Sequence, residues 1–165
     1  MKIQIIPIYD DQSQAAIDLI LNIQQNEFNI PITVKDQPDL LTITDFYHNG
    51  GGCFWGAFIE GELVGTIALI KFANDAGAIR KMFVKKEFRG KELNIAQHLL
   101  ETLIAYAKTN DMAYLYLGTI HILAAALRFY ERNQFTRIAK ERLPKTFPLM
   151  AADDVFCELN LNDYK

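Results

Sequence analysis

Hydrophobic and polar positions change period several times along the chain, and each change marks an element. Lys2 to Ile8 carries Ile3, Ile5 and Ile6 and stops at Pro7, the pattern of a first strand. Asp10 and Asp11 then offer helix N-caps, with Gln14 near the position a capping box wants. Ala16, Leu19, Ile20, Ile23 and Glu27 follow at helical spacing, so a helix is expected to run to about Glu27. Phe28-Asn29-Ile30-Pro31 ends it, and Pro38 opens a second, shorter helix through Leu40, Leu41, Ile43 and Phe46. Asn49 to Gly52 breaks the chain again.

The clearest β pattern comes next. Phe54–Ile59 and Leu63–Ile70 flank Glu60-Gly61-Glu62, a hairpin with a tight glycine turn, and both strands are apolar on successive residues, which predicts cover on both faces. Asn74 to Gly77 is a further turn, and Ala78–Val84 returns as the next antiparallel strand. After it the basic stretch Lys85–Lys91 leads into a helix from Glu92 to Ala107, with Ala96, Leu99, Leu100, Leu103, Ile104 and Ala107 on one stripe. Ala113–Thr119 is a short buried strand, and a strand-helix-strand unit of this length calls for parallel pairing with a right-handed crossover. A last helix is expected over His121–Asn133 with Ile122, Ala125, Ala126, Phe129 and Tyr130 inward; Phe135–Ala139 and Val155–Leu161 are the closing strands. Between these, Leu143–Met150 is too apolar for an idle linker. The order β-α-α-β-β-β-α-β-α-β-β, without repeats or linkers, predicts one α/β domain over residues 1–165: a mixed, mostly antiparallel sheet with helices on both faces.

Charge and composition narrow the chemistry. With 165 residues, 50% of them hydrophobic, the chain can bury a substantial core, and its net charge of −3 argues against a surface that coats nucleic acid. The basic residues that do cluster are Arg80, Lys81, Lys85, Lys86, Arg89 and Lys91, all at the strand-turn-helix junction. That junction can hold a phosphorylated ligand: N–H groups at a helix start lack partners, the helix dipole favours anions there, and Arg89 offers a two-pronged guanidinium. A solvated basic turn is the plainer reading of the same residues. No apolar run of about 18 residues is present to span a membrane. The first eight residues are too short for a signal peptide and two aspartates follow, so a cytoplasmic protein is expected. Cys53 and Cys157, with His48, His98 and His121, show no metal-ligand spacing, so no metal site is expected.

Three motifs together resemble the GNAT superfamily of acyl-CoA-dependent N-acetyltransferases. They are Met82-Phe83-Val84 with Phe88-Arg89-Gly90-Lys91, the strand ending Leu117-Gly118-Thr119, and Ala126-Leu127-Arg128-Phe129-Tyr130-Glu131-Arg132-Asn133-Gln134-Phe135. Four positions depart from the family pattern. Glu92 and Asn94 stand where its two loop glycines fall, Leu123 where an Asn opens the tyrosine helix, and Gln134 where a Gly precedes the closing Phe. Glu92 is expected to take helical dihedrals and face solvent.

The resemblance implies acetyl-CoA as co-substrate and a primary amine of a small molecule or peptide as acceptor, with no nucleic acid or membrane partner, in a monomer or homodimer. It implies that the main chain around Met82, Phe83 and Val84 pairs with the pantetheine arm like an added strand, which requires this strand to splay from the one ending at Thr119. Arg89, Gly90, Lys91, Glu92, Leu93, Asn94 and Ile95 would hold the diphosphate. Tyr130 is the candidate general acid for the leaving thiolate, against the reading of a core tyrosine on a helix stripe. The general base stays open among Glu27, Asp45, His48 and His121, each of which also reads as a surface or structural residue. Phe28, Ile30, Tyr47 and Phe147 are candidate walls of an acceptor pocket. A non-catalytic, CoA-binding module is the alternative, for which Glu92, Asn94 and Leu123 speak. A flavin or nucleotide protein is disfavoured, because no G-x-G-x-x-G follows the first strand.

Overall fold

Alternating and continuous apolar runs give seven strands, described together with the rest of residues 2–165 in a computed structural model. They are β1 (Ile3–Pro7), β2 (Cys53–Ile59), β3 (Glu62–Ala73), β4 (Ala76–Val84), β5 (Tyr114–Thr119), β6 (Thr136–Ile138) and β7 (Val155–Asn160), in the sheet order β1-β2-β3-β4-β5-β7-β6. The β1–β2, β2–β3, β5–β7 and β6–β7 pairs are antiparallel; β4 and β5 are parallel, as their long connection demands. The β2–β3 hairpin closes on Ile59 opposite Glu62 through Glu60 and Gly61, both left-handed (φ 51° and 82°). That primed turn matches the twist of the flanking strands.

The helices are α1 (Ser13–Leu21), α2 (Ile95–Thr109) and α3 (Ala124–Arg132). The chain divides into two compact units. One runs to Leu69 and returns over Lys81–Leu103; the other comprises Ile70–Arg80 and Ile104–Lys165. In the first, Ala16, Ile17, Leu19 and Ile20 of α1 and Leu99, Leu100 and Leu103 of α2 are buried. Gly65 of β3 lets α2 approach, since a Cβ there would lie 3.2 Å from both Ile95 and Leu99 side chains. In the second, Leu115 and Leu117 of β5, Phe156, Cys157 and Leu159 of β7, and Leu127 and Tyr130 of α3 are buried. Among the described residues no helix is long and apolar enough to cross a membrane.

Several local expectations are corrected. The first helical stretch is composite, a 3-10 turn (Asp10–Gln12), α1, then a π turn (Asn22–Glu27), and neither aspartate caps it. Asp10 Oδ1 instead accepts the Thr44 N–H at 3.0 Å, serving a helical turn far along the chain. The capping box forms at Thr33 and Asp36. The second helix splits into a 3-10 turn (Pro38–Leu41) and a π turn (Thr44–His48), because Thr42 leaves helical dihedrals (φ −136°, ψ 55°). The β4 strand already begins at Ala76, and α2 only at Ile95. The α3 helix starts at Ala124 since Leu123 is not helical (φ −89°, ψ 55°); Ile122 and Ala125 are therefore exposed, and Leu127 and Tyr130 face inward.

Candidate active site

The β4–β5 ladder runs from Ala76 opposite Tyr114 to Ile79 opposite Leu117 and ends there, while β4 continues to Val84. Two residues past the last pair, Lys81 adopts φ 56°, a left-handed residue in mid-strand and the mark of a bulge. Its carbonyl accepts the hydroxyl of the fully buried Thr66 on β3 at 2.7 Å. Such a conformation costs of order 1–3 kcal/mol for a residue with a Cβ and persists only where its surroundings enforce it.

The surroundings are polar and closed. Lys81 Nζ, on a side chain 6% exposed, donates to Gln37 Oε1 and lies 3.7 Å from Asp39 Oδ2. Asp39 also accepts the hydroxyl of Tyr47 at 2.5 Å, and Gln37 exchanges hydrogen bonds with Gln24. Tyr47, read from sequence as a pocket wall, is therefore a fully buried strut of this network. Losing one partner of a buried ion pair costs about 3–5 kcal/mol, so the group stands or falls as a unit.

Beyond β4 the chain makes the basic turn. Gly90 (φ 127°) and Asn94 (φ 54°) take the left-handed positions, and Glu92 does not, so a glutamate is tolerated where the family pattern has glycine. Glu92 precedes α2 in an exposed turn rather than lying in the helix. Asn94 N–H closes the turn on Gly90 O at 3.0 Å. The N–H groups of Gly90, Lys91, Glu92 and Leu93 have no protein partner among the described residues. Ile95 is buried at the start of α2. Arg89 is more occupied than expected: its Nε donates to Val84 O at 2.8 Å, and its two terminal nitrogens grip Glu27 at 2.5 and 2.8 Å. The positive patch is smaller for the same reason. Arg80 donates to Pro148 O, Lys81 is buried, and Lys85 pairs with Glu62 at 3.0 Å.

In the second unit, Tyr130 lies between Phe129 and Phe135, edge-on to both, and is 5% exposed. Burial, and secondarily Cys157, pushes its phenol above the ordinary tyrosine range, so it is protonated at neutral pH. Among the described residues its hydroxyl has no hydrogen-bond partner, and it is not among the fully sealed side-chain oxygens. Gln134, where the family pattern has glycine, is left-handed (φ 76°) in a Schellman closure of α3, with Phe135 N–H on Tyr130 O and its own N–H on Glu131 O. The late loop is anchored by Phe147, edge-on to Phe72 and Tyr116.

The base candidates are all engaged. The hydrogen bond from Arg89 holds the Glu27 carboxyl below its usual range. Asp45 accepts from Asn49, His48 Nε2 bonds Ile8 O at 2.7 Å, and His121 Nδ1 sits 2.6 Å from Asp154. Sequence reading missed Asp39, Gln37 and Thr66; a lysine in a strand otherwise rich in buried residues was the signal that charged and polar partners had to exist.

The Acetyltransferase (GNAT) family profile matches residues 17–135. A solved acetyltransferase of the GNAT family from Staphylococcus aureus Mu50 is 41% identical, covers 97% of this chain and 99% of its own, and superposes with a TM-score of 0.93. The PaiA N-acetyltransferase of Thermoplasma acidophilum, solved in complex with coenzyme A, is 18% identical and shares the fold at TM-score 0.73 over 97% of this chain and 99% of its own. N-acetylaspartate synthetase of Danio rerio is 34% identical over 104 residues, 62% of this chain; the chain spans only 36% of that relative's length. On the profile match, carried by more than half of its residues, the chain belongs to the acetyltransferase (GNAT) family, enzymes that use acetyl-CoA as co-substrate.

Proposed function

We propose that the chain moves an acetyl group from acetyl-CoA to a primary amine of a small molecule or peptide. The observation that carries this is the early end of the β4–β5 ladder at Ile79, together with the turn after β4, where four consecutive N–H groups have no protein partner among the described residues. The first leaves backbone from Lys81 to Val84 for an extended pantetheine arm to pair with; the second suits a diphosphate. Residues Met82, Phe83 and Val84 take the arm, and Arg89 to Ile95 take the phosphates. The amine nitrogen attacks the thioester carbonyl carbon, the C–S bond breaks, the thiolate takes the proton of the Tyr130 hydroxyl, and the proton shed by the amine nitrogen passes through solvent to restore the tyrosinate. The likeness to an N-acetylaspartate synthetase supports α-amino acids, L-aspartate first, as the acceptors to try.

The second reading is a CoA-binding module without turnover, for which Glu92, Asn94 and Leu123 speak as departures from the family pattern. Thermal-shift titration with acetyl-CoA and CoA, then thiol release over an amine panel headed by L-aspartate, separates the two. A ligand that binds only the folded state raises the midpoint. Turnover supports the transferase, binding without turnover the module, and no shift with either ligand sinks both.

A further inference from the structure

We infer that Arg80 is a specificity-determining residue: its guanidinium, held under the late loop, binds a carboxylate of the acceptor and so selects amino acids over plain amines. The inference rests on the transferase reading above. Its starting point is a cation without an anion. Nη2 of Arg80 donates to Pro148 O at 2.8 Å, and among the described residues the guanidinium has no other hydrogen bond and no ion pair. The residue is half-buried in the second unit, so water solvates it less fully than on an open surface.

A guanidinium carries five N–H donors and presents them as two edges of paired, parallel groups. One bond to a backbone carbonyl can close only one of those edges. The other stays open, in the geometry that grips both oxygens of a carboxylate. Anchoring the loop accounts for the first bond alone, and a lysine or a glutamine would serve there as well.

The ground around Arg80 suits such a ligand. Residues paired across β4 and β5 share a face, so Ala78 and Tyr116 project together, and Arg80, two residues on, projects with them. Phe147 of the late loop meets that face edge-on at Tyr116 and Phe72, with ring centres 6.5 and 5.7 Å apart. Tyr116 is only 7% exposed, and burial, then the bond to Glu158, pushes its phenol up to about 12. A charge pair formed beside these rings is screened less than one in open water, so it can discriminate between acceptors. A carboxylate of the chain stands on the same face: a Cβ on Gly118, the next alternate position after Tyr116, would lie 2.5 Å from Asp153 Oδ2. All of these residues belong to the second unit. Cation and anion on one face match an acceptor that carries an ammonium and a carboxylate; a simple amine would leave the guanidinium unmatched.

Thiol release from acetyl-CoA, measured on the full chain with L-aspartate and L-leucine and with their carboxamides, tests this. The unmodified chain is expected to prefer each acid over its amide by about tenfold or more in kcat/KM. Arg80→Gln keeps a donor for Pro148 O and should bring that ratio to about one, through a raised KM for the acid. Arg80→Lys keeps the charge but not the fork, and should recover the ratio only in part. A residue that merely held the loop would lower acid and amide together and leave the ratio unchanged. That result overturns the inference, as does an unmodified chain without preference for the acids. If no amine is acetylated, the transferase reading fails, and calorimetric titration of L-aspartate into the unmodified and Arg80→Gln chains with CoA present decides this inference alone. Binding weakened about tenfold by the substitution supports it, and equal or absent binding overturns it.

Discussion

Replacing Glu27 with Gln is expected to tighten acetyl-CoA binding. Arg89 meets Glu27 at 2.5 and 2.8 Å, with side chains 37% and 24% exposed, so the pair is partly screened. A pair of that exposure and bidentate geometry contributes about 1 kcal/mol. If the diphosphate must compete for the same guanidinium, relieving Glu27 strengthens binding by about two- to fivefold. Arg89→Ala goes the other way, about tenfold or more weaker, because charge-assisted bonds are lost. Calorimetric titration of CoA into both variants measures this, with the double variant closing the cycle: once Arg89 is gone, Glu27→Gln should be silent. The titration belongs near neutral pH. Arg89 lowers the Glu27 pKa, so the pair's stabilisation is present above about pH 4.5 and is lost as pH falls through the lower folded value. Weaker or unchanged affinity in a folded Glu27→Gln protein would refute the competition and make Glu27 a strut for Arg89.

Three further outcomes are expected. Tyr130→Phe should lower turnover with little change in acetyl-CoA affinity or melting temperature, since the hydroxyl has no hydrogen-bond partner among the described residues; unchanged turnover removes Tyr130 from the mechanism. Gln134→Gly should stabilise by about 1 kcal/mol and raise the melting temperature by about 2–4 °C, because a left-handed position is freed of its Cβ at the cost of one exposed bond from the Lys165 N–H; a scanning melt that shows a decrease contradicts the strain argument. Cys53 and Cys157 are buried, and burial raises both thiols to about 11, so a thiol reagent at pH 8 should label them only at the rate of unfolding. The unfolded thiols ionise near 9, so stability should fall between pH 9 and about 11, and prompt labelling of the native chain would show that the thiols are not sealed.

What the sequence disclosed, and what it hid, divides by the range of the interaction. The Glu60-Gly61 hairpin and the α2 stripe depend on neighbours a few residues away, and both were legible. The end of the β4–β5 ladder at Ile79 opposite Leu117 leaves no local mark in the sequence. Several of the misjudged features have distant partners. Asp10 looked like a cap for the helix beside it, yet its carboxylate serves Thr44. Arg89 looked free for phosphate, yet a carboxylate claims it, neither Glu87 nor Glu92 of its own stretch but Glu27, three strands earlier in the chain. The same rule explains Lys81. Within its own segment it reads as one more member of a basic patch; its meaning comes from Asp39 in the Pro38–Leu41 turn and from Gln37 at the cap of that turn. That stretch can bring polar groups to a buried lysine because it is irregular: a continuous helix through Pro38 and Phe46 would satisfy its own backbone but fix a different set of side chains toward β4. Substitutions that regularise it at Thr42 should therefore disturb the contacts of Lys81 with Gln37 and Asp39 before they disturb the fold.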